Sequence, residues 1–288
     1  MWKAFVSVTL FAVFASTMTY LDIFNNVKTD LGLKHYAEKQ HFKTIFPLWM
    51  KMPLNTFINL GYIVVGAYWC AITTLSLENN LISEVESYIF YVFNISSAFY
   101  GAIQTLRIIT QKHVFAVLDQ WCTLPFFMLV LIWGLHLKYG WSSYRAAILI
   151  TISMTSYTLT LFTPVGFEIA LGCHILLAVY GGATSYLQNP NNKSKINFFL
   201  AISCLIGFVI LKLIDLELPK YHDCFTIISG HFMSKICDIF QIHYVNEYFQ
   251  SLLIVRWQKS NFMQPNQLNK NEKMKSTKTK ITDKQKAE

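Results

Sequence analysis

The stretch FTIISGHFMSKICDIFQIHYVNEYFQSLLIVR, residues 225–256, decides the fold. It is long enough to cross a bilayer as a helix, yet His231, Lys235, Asp238 and Gln241 interrupt its apolar run. At about 100° per residue, positions 231, 234, 235, 238 and 241 fall within roughly a third of the helix circumference. Ionisable groups are expensive in hydrocarbon, so such a face turns into the protein, where it lines a pocket or forms an ion-pair network. A membrane helix that needs neighbours to cover one side implies a polytopic bundle.

Working outward, seven further windows reach the roughly 20 mostly apolar residues that a crossing needs. They are Ala4 to Phe24, Asn55 to Leu75, Tyr88 to Arg107, Val114 to Leu137, Ala146 to Thr163, Gly166 to Leu187 and Ile196 to Leu216. The composition agrees, with 53% hydrophobic and only 14% charged residues. The expectation is an all-α polytopic membrane helix bundle of eight spans, a seven-helix core over residues 54–257 preceded by one N-terminal span or signal anchor over 1–24. A polar loop, 25–53, joins the two. The six cysteines sit mostly in apolar runs, where a thiol acts as a small hydrophobe, so no disulfide framework is expected.

The net charge of +8 is concentrated in the tail, where residues 257–288 carry eight lysines against three acids. Residues 258–288 have too few apolar groups to fold alone and read as a disordered basic segment. Threaded alternately, the eight spans place 14 basic residues on the side shared by the two termini against 8 on the other, which predicts a cytosolic tail. The ending Lys284-Gln-Lys286-Ala-Glu288 matches a Lys-x-Lys-x-x retrieval pattern, which predicts coat-protein recognition and an endoplasmic reticulum or Golgi membrane. Lysines confined to one tail without interleaved aromatics do not support nucleic-acid binding. No Gly-rich phosphate loop, nucleophile elbow or His-Glu-x-x-His zinc pattern occurs, so neither cofactor nor metal is expected.

The same threading gathers the polar residues at the end of the bundle opposite the termini. Asn55 and Asn59 open the second span, Asp119 enters the fourth, Glu168 opens the sixth, and Lys212 and Asp215 close the seventh. His231, Lys235 and Asp238 lie early in the eighth, while Tyr100 lies about two turns from that end of the third with Ser96 one turn deeper. Two readings follow. Lys212 with Asp215, and Lys235 with Asp238, could be i to i+3 ion pairs that merely hold helices together. Alternatively these residues surround a cavity that takes a ligand. His174 reads as a packed core histidine, and His243 as an interfacial one.

Four long motifs carry a resemblance: AVLDQW (116–121) with TLP (123–125), PVGFEIALGCH (164–174), LIGFVILKLID (205–215) and GHFMSKICD (230–238). They resemble the transmembrane protein 187 family, a multi-pass family with no assigned activity. More remotely, spans two to eight resemble the seven-helix superfamily of alkaline ceramidases and progestin and adiponectin receptors. Asn55-Thr-Phe-Ile-Asn59 keeps all but the serine of the ceramidase Asn-Thr-x-Ser-Asn, and Asp119 could match their acid.

That likeness implies a hydrolytic zinc site, which needs neutral or anionic ligands and an open position for water. Tyr100 stands where those enzymes carry a histidine four residues after the serine, and Lys235 stands at the second histidine of their final His-x-x-x-His. The resemblance therefore implies that Lys235 fills the vacated metal position with its own charge, paired to Asp119. The resulting expectation is a lumen-facing polar cavity that binds or senses a membrane lipid or other amphiphile without catalysis. The alternatives are a lipid amide or ester hydrolase using Asp119, His231 and Glu168, and a transporter or proton-coupled carrier.

Overall fold

The computed structural model describes the backbone of residues 1–39 and 45–285 and side chains through Gln258. His41 and Lys43 of the polar loop, the basic segment beyond Gln258, and Lys284 and Lys286 within it therefore lie outside the described side chains. Every apolar window becomes a helix. In chain order these are α1 (Trp2–Tyr20), α2 (Pro53–Phe57) running on into α3 (Leu60–Glu78), α4 (Glu84–Thr110), α5 (His113–Tyr139), α6 (Ser143–Ser156) with a 3-10 extension to Leu161, α7 (Gly166–Gln188), α8 (Asn192–Leu213) and α9 (Gly230–Gln285).

Among the described residues five segments are long and apolar enough by themselves to cross a membrane: Trp2–Tyr20, Pro53–Glu78, His113–Tyr139, Gly166–Gln188 and Asn192–Leu213. Only 17% of the apolar window of α8 is buried, so most of that helix presents hydrocarbon outward. Water would not tolerate such a surface, whereas lipid does. Of the remaining helices, α4 and α9 carry charge at their ends or along one face, and α6, at 14 residues, is shorter than a full crossing.

Packing proceeds in a ring: α3 lies along α4, α4 along α5, α5 along α7, α7 against α8, α8 along α9, and α9 returns to α3. Helix α1 packs outside against α4 and α5, and α6 outside against α5. At the end nearer the termini the core is aromatic, with Trp133 stacked on Phe249 at 4.1 Å and met edge-on by Phe90 at 4.2 Å. Trp69 Nε1 donates to His243 Nδ1 at 3.2 Å, so His243 is a packing partner of α3 rather than the interfacial residue its position suggested.

Polar ties brace the ring where apolar packing alone gives lipid-embedded helices little reason to associate. Asn94 and Asn246 exchange amide hydrogen bonds of 2.8 and 3.0 Å, joining α4 to α9 with both side chains buried. A capping box starts α4, in which Ser83 Oγ accepts from the Glu86 N–H at 3.3 Å and the Glu86 carboxylate accepts from the Ser83 N–H at 2.7 Å. Glu86 also faces His136 of α5 at 3.8 Å and Arg256 of α9 at 3.5 Å.

The closest backbone approach is between α5 and α7, where a Cβ on Gly134 would stand 2.2 Å from the Gly181 carbonyl oxygen. Gly134→Ala is therefore expected to destabilise the protein by about 1–3 kcal/mol through overpacking. Gly172→Ala, with nothing within 4 Å of the added carbon, is the matched control and should melt like the parent. Thermal unfolding of both variants in detergent checks this, and equal melting temperatures would contradict the assigned contact.

Candidate functional site

The site begins at the break between α2 and α3. Pro53 at the first position of α2 starts a helix of five residues, and the chain then re-forms as α3 from Leu60. The break carries Asn55 and Asn59, both fully buried. Close approach makes this possible, because a Cβ on Gly101 of α4 would lie 2.7 Å from the Asn59 carbonyl oxygen. From α9, Lys235 Nζ reaches in and donates to Asn59 Oδ1 at 2.7 Å and to the Asn55 carbonyl at 3.3 Å. His231 lies one turn earlier on the same face, its ring edge-on to Tyr36 at 4.9 Å.

A second group sits beside it on α4 and α5. Asp119 accepts from both Arg107 and Gln104 in short hydrogen bonds, and Gln104 Nε2 also donates to the Tyr100 hydroxyl at 2.7 Å. Tyr100 meets Tyr62 edge-on at 5.3 Å, and the Tyr62 hydroxyl donates to Asp238 at 2.6 Å. A polar layer thus runs from α4 and α5 across α3 to α9.

Three expected pairings are not made. Asp119 pairs with Arg107 and not with Lys235. Asp238 is held by Tyr62 instead of Lys235, and Asp215 accepts from backbone N–H groups, not from Lys212. For Asp119 the cause is Arg107, which closes the third apolar window and reads there as an interfacial charge. Placed in the last turn of α4 and buried, its planar guanidinium reaches a carboxylate that a single ammonium from α9 would have to cross the bundle to meet. Arg107, Gln104 and Tyr62 were missed in the sequence; the i, i+4, i+7 spacing of Tyr100, Gln104 and Arg107 along one helix face was the available signal.

Other candidates separate from the cluster. Glu168 is exposed in the first turn of α7. Lys212 is exposed, with its ammonium 5.6 Å over the Phe208 ring. Ser96 and Tyr100 face a different space, a cavity of about 1050 Å³ between α1, α4, α5 and α6. Its lining is mostly apolar, including Phe11, Val92, Phe99 and Ile150, and Tyr100 is the residue it shares with the polar layer.

The segment preceding α2 straps this end of the bundle. Val27 O meets His113 Nε2 at 2.8 Å, Gln111 Oε1 accepts from the Gly32 N–H at 2.9 Å, and Arg107 Nη2 donates to Asp30 O at 3.2 Å. Asp215 accepts from the Ala37 N–H at 3.0 Å and from the His231 N–H at 2.8 Å, so one carboxylate joins the strap to the start of α9. Glu38 accepts from the Leu54 and Asn55 N–H groups at 2.7 and 2.9 Å, capping the start of α2. Burial pushes the Glu38 carboxyl up from the usual carboxylate value, while those two N–H groups draw it back.

A catalytic zinc does not fit these residues. Among the described residues His231 is the one imidazole at the cluster, Asp119 is committed to a guanidinium, and an ammonium has no lone pair to give a metal. Among the described residues no three His, Cys, Asp or Glu side chains are grouped to hold an ion.

The family model of the TMEM187 protein family matches residues 4–250, all of the ring and the cluster within it. The chain belongs to the TMEM187 protein family. Transmembrane protein 187 of Bos taurus is 35% identical over 252 residues, 87% of this chain and 96% of that one. Transmembrane protein 187 of Homo sapiens is 34% identical over 242 residues, covering 84% and 89% respectively. No solved structure matches. The TMEM187 match stops short of the basic tail, so the polar layer and its strap belong to the shared part of the chain.

Removing the tie between strap and α9 tests the geometry. Asp215→Ala leaves two buried N–H groups unmet, a cost of about 1–3 kcal/mol for each. Amide hydrogen exchange over residues 32–39 is expected to quicken about tenfold per 1.4 kcal/mol while exchange in α5 stays unchanged. An unaltered rate in the strap would mean that Asp215 does not hold it.

Proposed function

We propose that this TMEM187-family protein binds one amphiphile drawn from the surrounding bilayer and does so without catalysis. The observation that carries the reading is the cavity of about 1050 Å³ between α1, α4, α5 and α6. Its size stands at the top of the roughly 300–1,000 Å³ range of small-molecule sites. Its walls are mostly apolar, and its few polar lining residues include Lys3 and Glu84 near the N-terminus of α1 and Tyr100, whose hydroxyl accepts from Gln104. A mostly apolar cavity with few polar residues suits a molecule with one chain and one polar end.

The hydrolytic alternative has little support in the same geometry. Asp119, the acid it would use as a base, is neutralised by Arg107, and Glu168 lies apart on the surface of α7. The proposed location is an endoplasmic reticulum or Golgi membrane, with Lys284 and Lys286 read by a coat protein on the cytosolic side.

The test is lipid mass spectrometry on the full chain purified in mild detergent. The parent is expected to retain one class of amphiphile. Ala147→Trp, which fills the cavity from α6, should lower the retained amount about tenfold, equivalent to about 1.4 kcal/mol. Gly172→Trp, placed on the exposed side of α7, should leave it unchanged. Equal lipid in the parent and in Ala147→Trp would refute the cavity as the binding place.

A further inference from the structure

We propose that the buried polar groups where the strap, the α2–α3 break, α4 and α9 meet form a binding site for an oxyanion, a phosphate or carboxylate group, held by Lys235. This site is distinct from the apolar cavity and does not depend on it.

Among the described residues, four side-chain atoms there are buried without a hydrogen-bond partner, Asn55 Oδ1, Asn59 Nδ2, Arg107 Nε and His231 Nε2, and the Tyr36 hydroxyl beside them has only the Arg107 guanidinium to accept from. Their residues are between 0 and 9% exposed. The groups are contiguous. Tyr36 packs on His231, its hydroxyl lies beside Arg107, His231 precedes Lys235 by one turn, and Lys235 bonds both asparagines. Thr29 Oγ1, on the strap itself, is also unpartnered, and the other unpartnered atoms among the described residues, on Thr9, Trp133, His136, Asn197 and Gln241, belong to other parts of the bundle.

The hydrogen-bond inventory indicates what is missing. An ammonium only donates, so Lys235 fixes the Asn59 amide with its oxygen inward to the lysine and its nitrogen turned away. Asn59 Nδ2, Arg107 Nε and the third Lys235 N–H are obligate donors, and Tyr36 and His231 can donate as well. Asn55 Oδ1 is the single obligate acceptor in the set. Donors therefore outnumber acceptors, and the complement is an oxygen-rich group.

Among the described residues Lys235 has no ion-pair partner of its own, and no carboxylate lies within 4 Å of it. The four nearby acids have other partners: Asp119 has Arg107 and Gln104, Asp238 has Tyr62, Asp215 has the Ala37 and His231 N–H groups, and Glu38 caps α2. With two neutral acceptors the buried ammonium keeps a third N–H to give, and an entering oxyanion supplies the acceptor.

The experiment uses the full chain in detergent and reads its melting temperature and its binding of two probes, inorganic phosphate and a single-chain lipid phosphate, with the corresponding uncharged alcohol as control. A rise in melting temperature with either phosphate, absent with the alcohol, is expected. A response to inorganic phosphate identifies a free anion as the ligand, and a response confined to the lipid phosphate identifies a headgroup. Lys235→Gln should weaken the response at least tenfold.

Because that variant could simply unfold, Asn59→Asp provides a second arm. It places a carboxylate against the lysine from within, so it should melt above the parent in phosphate-free buffer and no longer respond to phosphate. Ala147→Trp should respond like the parent, which separates this site from the apolar cavity. The proposal is overturned if neither phosphate raises the parent's melting temperature, or if Asn59→Asp melts lower than the parent and still responds.

Discussion

In hydrocarbon no solvent satisfies a polar group, so each one buried in this bundle has to find its partner elsewhere on the chain. That constraint organises the end of the molecule opposite the termini. Asp215 lies just past α8, and its two oxygens take donors from the strap and from the first turn of α9. Glu38 does the same for the start of α2. Two carboxylates thus seat three segments that share no covalent neighbourhood. Each one also offsets the positive end of a helix dipole, which makes a buried charge tolerable there.

The break between α2 and α3 follows from the same economy of donors and acceptors. An unbroken helix would consume every backbone carbonyl internally, whereas the interruption leaves the Asn55 carbonyl for Lys235 and turns both asparagine side chains inward. Gly101 allows α4 to press against this point, which brings the Tyr100, Gln104 and Arg107 face within reach of α5. The polar layer is therefore a product of one irregular turn and one missing side chain, not of charge attraction along any single helix.

This explains what could be read from the sequence. Hydropathy located every helix, including α4 and α9, because a run of about 20 apolar residues is a length that few other structures require. Periodicity placed His231, Ser234 and Lys235 on one buried face of α9, where they lie. Partner choice was not legible. Spacing says which residues share a helix face but not which helix stands opposite, and the pairing of Lys235 with Asp119 that the remote resemblance implies is not made. Arg107 was hidden because a basic residue at the end of an apolar window reads as an interfacial anchor. The 25–53 loop had no periodic signal at all, and its role as a strap depends on backbone groups that composition does not reveal.

The contrast between two asparagine pairs bears on whether the polar layer is only structural. Asn94 and Asn246, buried as deeply as any residue in the chain, satisfy each other reciprocally and bind their own helix carbonyls at Phe90 and Ile242. The fold can thus close a buried amide pair completely where holding two helices together is the whole task. Asn55 and Asn59, equally buried, each keep an atom without a partner among the described residues, and so do the Arg107 and His231 side chains around them. Each unmet group costs about 1–3 kcal/mol. A purely structural network of this kind would be less stable than an apolar one of the same shape, since half-satisfied polar clusters lose both solvation and packing. The unsatisfied atoms gather around Lys235, a buried lysine with no carboxylate of the described residues within 4 Å, which is where a ligand's oxygens would remove the deficit.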